Sequence, residues 1–164
     1  MFVATGSDDR TVRLWDIRSA HCTRVFSAGC KSTIASVAIS NSGEIVAAGT
    51  DSRGDILTWD VGTGRLLLTL NTSVDSTILK VNINTVGSVL VSGGSDGAVR
   101  VWDLSRQSDN NISGTTVNQS GDNSMIHPYR SFFSKNCPIY DVGFSTDGFV
   151  YAGGPSLSGN YDES

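Results

Sequence analysis

The sequence predicts an all-β protein built from repeating antiparallel sheets of short strands, and three observations carry that prediction. A six-residue stretch ending in Trp-Asp occurs three times, as Thr11–Asp16, Asp55–Asp60 and Ala98–Asp103. Its Trp residues, Trp15, Trp59 and Trp102, are 44 and 43 residues apart, and the chain has no other Trp. At the same interval Gly6, Gly49 and Gly93 close the apolar runs Phe2–Thr5, Glu44–Ala48 and Ser88–Ser92. A fixed period of this size signals one supersecondary unit per repeat. Finally, short apolar stretches recur between Gly-containing turns, and none shows the 3.6-residue period of an amphipathic helix.

Residues 2–5 and 11–15 read as two strands joined by a turn at Gly6–Arg10. In the second, Val12 and Leu14 point one way, and Thr11, Arg13 and Trp15 the other, the alternation of a pleated strand. Ser19-Ala20 turns the chain into a short strand at Thr23–Ser27, followed by a loop over Ala28–Ser32. Ile34, Val37 and Ile39 mark the next strand, and Asn41-Ser42-Gly43 turns it into 44–48. Asp51–Gly54 leads into 55–59, and Val61–Gly64 is a further turn. Leu66–Leu70, Ile78–Ile83, Ser88–Ser92 and Ala98–Trp102 repeat the same order. A fourth copy follows at a longer interval, with strands at Tyr129–Phe133, Pro138–Phe144 and Gly148–Ala152 ending on Gly153-Gly154. The extra length is the Ser-, Asn-, Asp- and Gly-rich tract 105–124, too polar to bury a core. The expected organisation is repeats over 1–104, a disordered polar loop over 105–128, a partial final repeat over 129–154 and a flexible tail over 155–164.

The 164 residues are 38% hydrophobic and 17% charged, with 18 Gly and 3 Pro, a globular composition rich in tight turns. No apolar run approaches the ~18–20 residues that span a bilayer, so no membrane partner is expected. The formal charge is −4 and the 12 basic residues are scattered, which disfavours direct nucleic-acid binding. Cys22, Cys30 and Cys137 form no CxxC pair and read as reduced, buried thiols.

These repeats resemble the WD40 family. The resemblance implies a β-propeller, here incomplete, of about three and a half blades of antiparallel four-stranded sheets. The family's blades run a, b, c, d from the centre outward, and this chain starts at strand b. The resemblance also implies a hydrogen-bond relay joining the strand-c Trp to a Ser or Thr on strand b, a His in the d–a loop and an Asp in the b–c turn. On this sequence Ser7 and Asp9 fall in the matching places for Trp15. Asp96 does so for Trp102, with Gly94 where the Ser is usual. Near Trp59 the turn is one residue longer and Arg53 stands near the Asp place. No d–a His is present.

The order of pieces is similar to one branch of that family, the WD-repeat subunit 5 of the general transcription factor TFIID, shared with the SAGA coactivator. The resemblance rests on Val89–Gly94, Val99–Leu104, the polar insertion and then Ser131–Tyr140, with Phe132-Phe133-Ser134-Lys135 its most specific part. It covers about residues 1–154, and that family's N-terminal dimerisation and spacer domains are absent from it. It implies a nuclear, non-enzymatic scaffold in RNA polymerase II transcription initiation, contacting histone-fold subunits of TFIID or SAGA. The alternative is a WD40 scaffold of another assembly, in ubiquitin ligation, RNA processing or signalling. Propellers close with ~4–8 blades, so the partial count predicts a piece of a longer protein or a short isoform. By itself such a chain is expected to expose apolar end faces and self-associate.

No residue set suggests catalysis, a metal or a cofactor. Trp15, Trp59 and Trp102 recur with the repeat, which assigns them to packing between repeats rather than to binding. Asp16, Asp60 and Asp103 recur with them and read as structural. Gly62-Thr63-Gly64-Arg65 lacks the Lys-Ser/Thr pair of a phosphate loop. His21, Cys22 and Cys30 fit no zinc spacing, and His127 has no partner that the sequence identifies. The tract 105–124 is a tolerated insertion or a phosphorylatable partner loop.

Overall fold

The computed structural model describes residues 1–27, 31–105, 126–134 and 137–155. These form thirteen β-strands in four antiparallel sheets, and no α-helix occurs among the described residues. The first sheet holds β1 (Phe2–Gly6), β2 (Val12–Asp16) and β3 (His21–Phe26), paired in that order. The second is β4 (Ile34–Ile39), β5 (Ile45–Thr50), β6 (Asp55–Asp60) and β7 (Leu66–Asn71). The third is β8 (Ile78–Ile83), β9 (Val89–Gly94), β10 (Ala98–Asp103) and β11 (Arg130–Phe133). The last is the pair β12 (Asp141–Phe144) and β13 (Val150–Gly153). This is the incomplete propeller expected above, and the sheets are called blades 1 to 4.

The strands stand close to their expected positions, with differences that hydrogen bonding explains. Pro138–Tyr140 do not join β12. Proline has no N–H to give to a ladder, the Ile139 N–H is spent on the Gly94 carbonyl at 3.0 Å, and Tyr140 makes a single bond to the Gly153 carbonyl before the ladder begins at Asp141. β3 starts two residues early because a bulge between Leu14 and Trp15 resets its register against β2. Of the polar loop assigned to 105–128, residues 106–125 lie outside the described residues, as does the tail from 156. Ile126 departs from the loop reading. It makes a parallel bridge to Leu70 and packs against the core between blades 2 and 3.

Each blade stacks on the next through its inner strands: β1 on β4, β4 and β5 on β8, β8 and β9 on β12. Three apolar layers result. Val12, Leu14 and Phe26 of blade 1 meet Val46, Leu57 and Trp59 of blade 2. Ala47, Ile56 and Leu70 of blade 2 meet Ile78, Leu90 and Trp102 of blade 3. Val91 and Val99 of blade 3 meet Ile139 and Val142 of blade 4. The alternation read from the sequence is obeyed: Val12 and Leu14 are buried, and Trp15 lies half-buried on the opposite face.

The repeating glycines are explained by this stacking. A Cβ on Gly6 would lie 2.4 Å from Ile34 Cγ2, on Gly49 2.4 Å from Ile78 Cγ2, and on Gly93 2.6 Å from Ile139 Cγ2. In each case the glycine gives way to an isoleucine beginning the next blade. The sequence period is therefore an interblade contact written three times. A polar tie accompanies one of them, where Ser36 donates from Oγ to the Ile78 carbonyl at 2.8 Å.

Candidate interaction surface

The predicted site residues lie on strands β2, β6 and β10 and in the turns that precede β2 and β10. Each Asp of a Trp-Asp pair caps the turn that follows its strand. Asp16 Oδ1 accepts from the Arg18 N–H, Asp60 Oδ1 from the N–H and hydroxyl of Thr63, and Asp103 Oδ1 from the N–H and hydroxyl of Ser105. Short Asx-type bonds of this kind fix a turn's geometry locally. They also hold the Asp60 carboxyl below its usual 3.8, first through the Thr63 hydroxyl and then through the Thr63 N–H.

The Trp relay differs from the expected assignment. Trp15 Nε1 donates to Thr5 Oγ1 at 2.9 Å and Trp102 Nε1 to Ser92 Oγ at 3.0 Å. Ser7 and Gly94 lie two residues too late, in the turn or at its edge. The Ser7 hydroxyl instead accepts from the Asp9 N–H. The cause is strand register: Val3 faces Trp15 and Leu90 faces Trp102, so the hydroxyl two residues further along the same face is the one within reach.

Asp9 and Asp96 bond to no Trp. Each pairs with the Arg four residues on, Asp9 with Arg13 at 2.7 Å and Asp96 with Arg100 at 2.5 Å. Their second oxygens accept turn N–H groups, of Thr11 and Ala98 respectively. The Thr11 hydroxyl and then its N–H, ahead of Arg13, hold the Asp9 carboxyl below its usual 3.8. The Asp9–Arg13 pair lies at the open surface, whereas Arg100 is 3% exposed between blades 2 and 3, with Nη1 unpartnered.

Blade 2 breaks both patterns at once. Val46 faces Trp59, so Ala48 holds the place of Thr5 and Ser92, and the buried Trp59 N–H has no acceptor. Arg53 stands where Asp9 and Asp96 stand, and Leu57 where Arg13 and Arg100 stand. Leu57 joins the apolar layer there, and Phe26 tilts against the Trp59 ring at a centroid distance of 5.7 Å. One blade has exchanged polar fastening for apolar packing.

A concave surface lies where the a–b turns converge. The turns after β4, β8 and β12 share one geometry, with Gly43, Gly87 and Gly148 at φ between 75° and 84°. In each, the glycine N–H returns to the carbonyl three residues back. Between them opens a groove of about 700 Å³. Asn41, Asn82 and Thr85 line it with Ile39, Phe144 and Val150, and no charged side chain contributes. Val86 at its rim is 80% exposed. Such a surface offers neutral hydrogen-bonding groups and apolar area, with nothing to move a proton or hold an ion. Among the described residues no group of three His, Cys, Asp or Glu could hold a metal, and no helix is long and apolar enough to cross a membrane.

The cysteines differ from expectation. Cys22 is exposed because it sits on the outer strand β3, Cys137 is partly buried, and Cys30 lies outside the described residues.

Comparison with known proteins places this geometry. Residues 1–16 and 64–103 match the family described as WD domain, G-beta repeat. Those stretches contain Trp15 and Trp102 with their hydroxyl and Asp–Arg partners; the stretch between holds the divergent strands around Trp59. The Schizosaccharomyces pombe Periodic tryptophan protein 2 homolog is 38% identical over 49% of this chain and 9% of its own length. The Arabidopsis thaliana Guanine nucleotide-binding protein subunit beta is 35% identical over 60% of this chain and 28% of its own. The Caenorhabditis elegans Transcription initiation factor TFIID subunit 5 is 28% identical over 77% of this chain and 18% of its own. The chain thus spans less than a third of the length of each of these relatives.

Proposed function

We propose, from the premise that this chain carries WD40 repeats, that it is a non-enzymatic scaffold subunit of the TFIID general transcription factor, acting in the nucleus and also in SAGA. The observation that supports the TFIID reading is the extent of one similarity. The TFIID subunit 5 alignment takes in 127 residues of this chain. The Periodic tryptophan protein 2 and G-beta subunit alignments cover 49% and 60% of the chain, against 77% for TFIID subunit 5. Their higher identities favour a second reading, a WD40 scaffold of another assembly.

The partners proposed are histone-fold subunits, and the surface proposed for them is the uncharged groove of the a–b turns. Rigid turns on a stacked scaffold present contacts at little entropic cost. The test is co-elution of the purified chain with a reconstituted histone-fold pair of TFIID. Val86→Glu, which places a charge on an exposed rim position, should abolish co-elution without changing the circular dichroism spectrum. Absence of co-elution by the unmodified chain overturns the TFIID reading. Co-elution that survives Val86→Glu overturns the choice of surface.

A further inference from the structure

The outer gap between blades 1 and 2 is closed by the outer strand of blade 1. Phe26 lies buried against the Trp59 ring. Two residues earlier, Arg24 donates from Nη2 to the Gly62 carbonyl, in the turn that follows β6. The ladders give the matching positions between blades 2 and 3. Phe26 pairs with Val12 and Leu70 with Ile56, each partner three residues before its Trp; Arg24 pairs with Leu14 and Leu68 with Thr58. Leu70 is smaller than Phe26, and the Leu68 side chain has nothing to donate. Blade 2 therefore cannot close its outer gap in the way blade 1 does.

Ile126 supplies what is missing. It packs, partly buried, on the layer that holds Leu68, Leu70, Trp102 and Leu104. Leu104 is buried there, whereas Val61, its counterpart two residues after Trp59, is only partly buried. β7 pairs with β6 on one edge and, among the described residues, meets only the parallel bridge from Ile126 to Leu70 on the other. The bridge extends no further. Pro128 has no N–H to continue it, and Tyr129 already donates to the Val101 carbonyl of blade 3 at 2.8 Å. One aliphatic side chain and one bridge make this contact, a small hold beside the ladders that bind the strands within each blade.

We infer that Ile126 is a latch on the outer gap between blades 2 and 3. Seated, it fills the room that Phe26 fills by itself between blades 1 and 2. It also covers the outer edge of β7, which uncovered would be a template for a strand of another chain. Released, it bares that edge together with the Leu68, Leu70 and Leu104 side chains, while the blades themselves stay folded. The occupant of the edge is thus a segment of this chain, running parallel to β7 and seated by one branched aliphatic side chain. The latch works in the same way whichever assembly the chain serves.

The test is amide hydrogen exchange, read by mass spectrometry, on the full chain and two variants. Ile126→Ser, at a partly exposed position, should speed exchange in β7 and over 126–129 about tenfold or more and leave β5 and β9 unchanged. Leu70→Phe gives blade 2 the side chain that closes the gap beside blade 1. It should speed exchange over 126–129 while β7 stays protected, because the ring takes the room of Ile126. A rise that β5 and β9 share in Ile126→Ser overturns the latch, since Ile126 would then be ordinary core. So does β7 exchange that Ile126→Ser leaves unchanged, or protection over 126–129 that survives Leu70→Phe.

Discussion

Replacing Ala48 with Ser should stabilise the protein, and the structure gives the reason and the size. Trp59 is 2% exposed and its indole N–H has no acceptor. Leaving a buried donor unpaired costs about 1–3 kcal/mol. Ser92 shows that a Ser Oγ in this register reaches the Trp N–H at 3.0 Å. A serine at position 48 must itself be desolvated, so the net gain is that of an ordinary internal hydrogen bond, about 0.5–1.5 kcal/mol. For a chain of this length, each kcal/mol raises the Tm by about 2–4 °C. Ser92→Ala performs the reverse experiment and should cost about 1–3 kcal/mol by orphaning the Trp102 N–H. The assay is denaturation followed by circular dichroism, with Ala48→Ser repeated in a Trp59→Phe background that has no N–H to satisfy. A gain that persists in that background, or a neutral Ser92→Ala, would refute the reasoning.

Three further outcomes follow from the same geometry. Asp96→Ala leaves Arg100 buried and unpaired and should cost about 3–5 kcal/mol. The same change at Asp9, whose pair is exposed and screened by solvent, should cost much less; equal losses in denaturant titrations would contradict the burial difference. Gly49→Ala puts a methyl 2.4 Å from Ile78 Cγ2 and should destabilise by about 1–3 kcal/mol through overpacking. Part of that loss should return with Ile78→Val, and an unaffected Tm in the single variant would argue against the contact. Asp9 and Asp60 titrate below their usual 3.8 in the folded chain. Their stabilisation is therefore complete above that value and disappears as pH falls through the lower folded values. Melting from pH 5 to pH 2 should show a decline that Asp60→Asn makes shallower, and an unchanged slope would exclude a contribution from the carboxylate.

The blade order was legible because its signals are local. A period-two pattern, a turn glycine and a Trp every 43 or 44 residues each reflect contacts repeated identically from blade to blade. The relay was misassigned because it depends on register. The family resemblance places Ser7 with Trp15, but the ladder pairs Val3 with Trp15 and brings Thr5 into reach. Counting back ten residues from Trp15 and Trp102 finds Thr5 and Ser92 directly. At Trp59 the longer turn makes the count eleven and exposes the substitution to Ala48. Neither the Asp–Arg pairs nor the uncharged groove announced themselves. Arg13 and Arg100 look like ordinary solvated strand residues, and the groove is formed by turns about forty or sixty residues apart that only blade stacking brings together. The anchoring of Ile126 on Leu70 was hidden because a single apolar residue at the end of a polar tract carries no period.

The most direct measurement of the central claim is affinity purification of the tagged chain from nuclear extract with quantitative mass spectrometry of what accompanies it. The expected result is enrichment of histone-fold subunits of TFIID in stoichiometric amounts, reduced by Val86→Glu. Recovery of a different stable assembly, with TFIID subunits at background, would contradict the TFIID assignment and support a WD40 scaffold acting elsewhere.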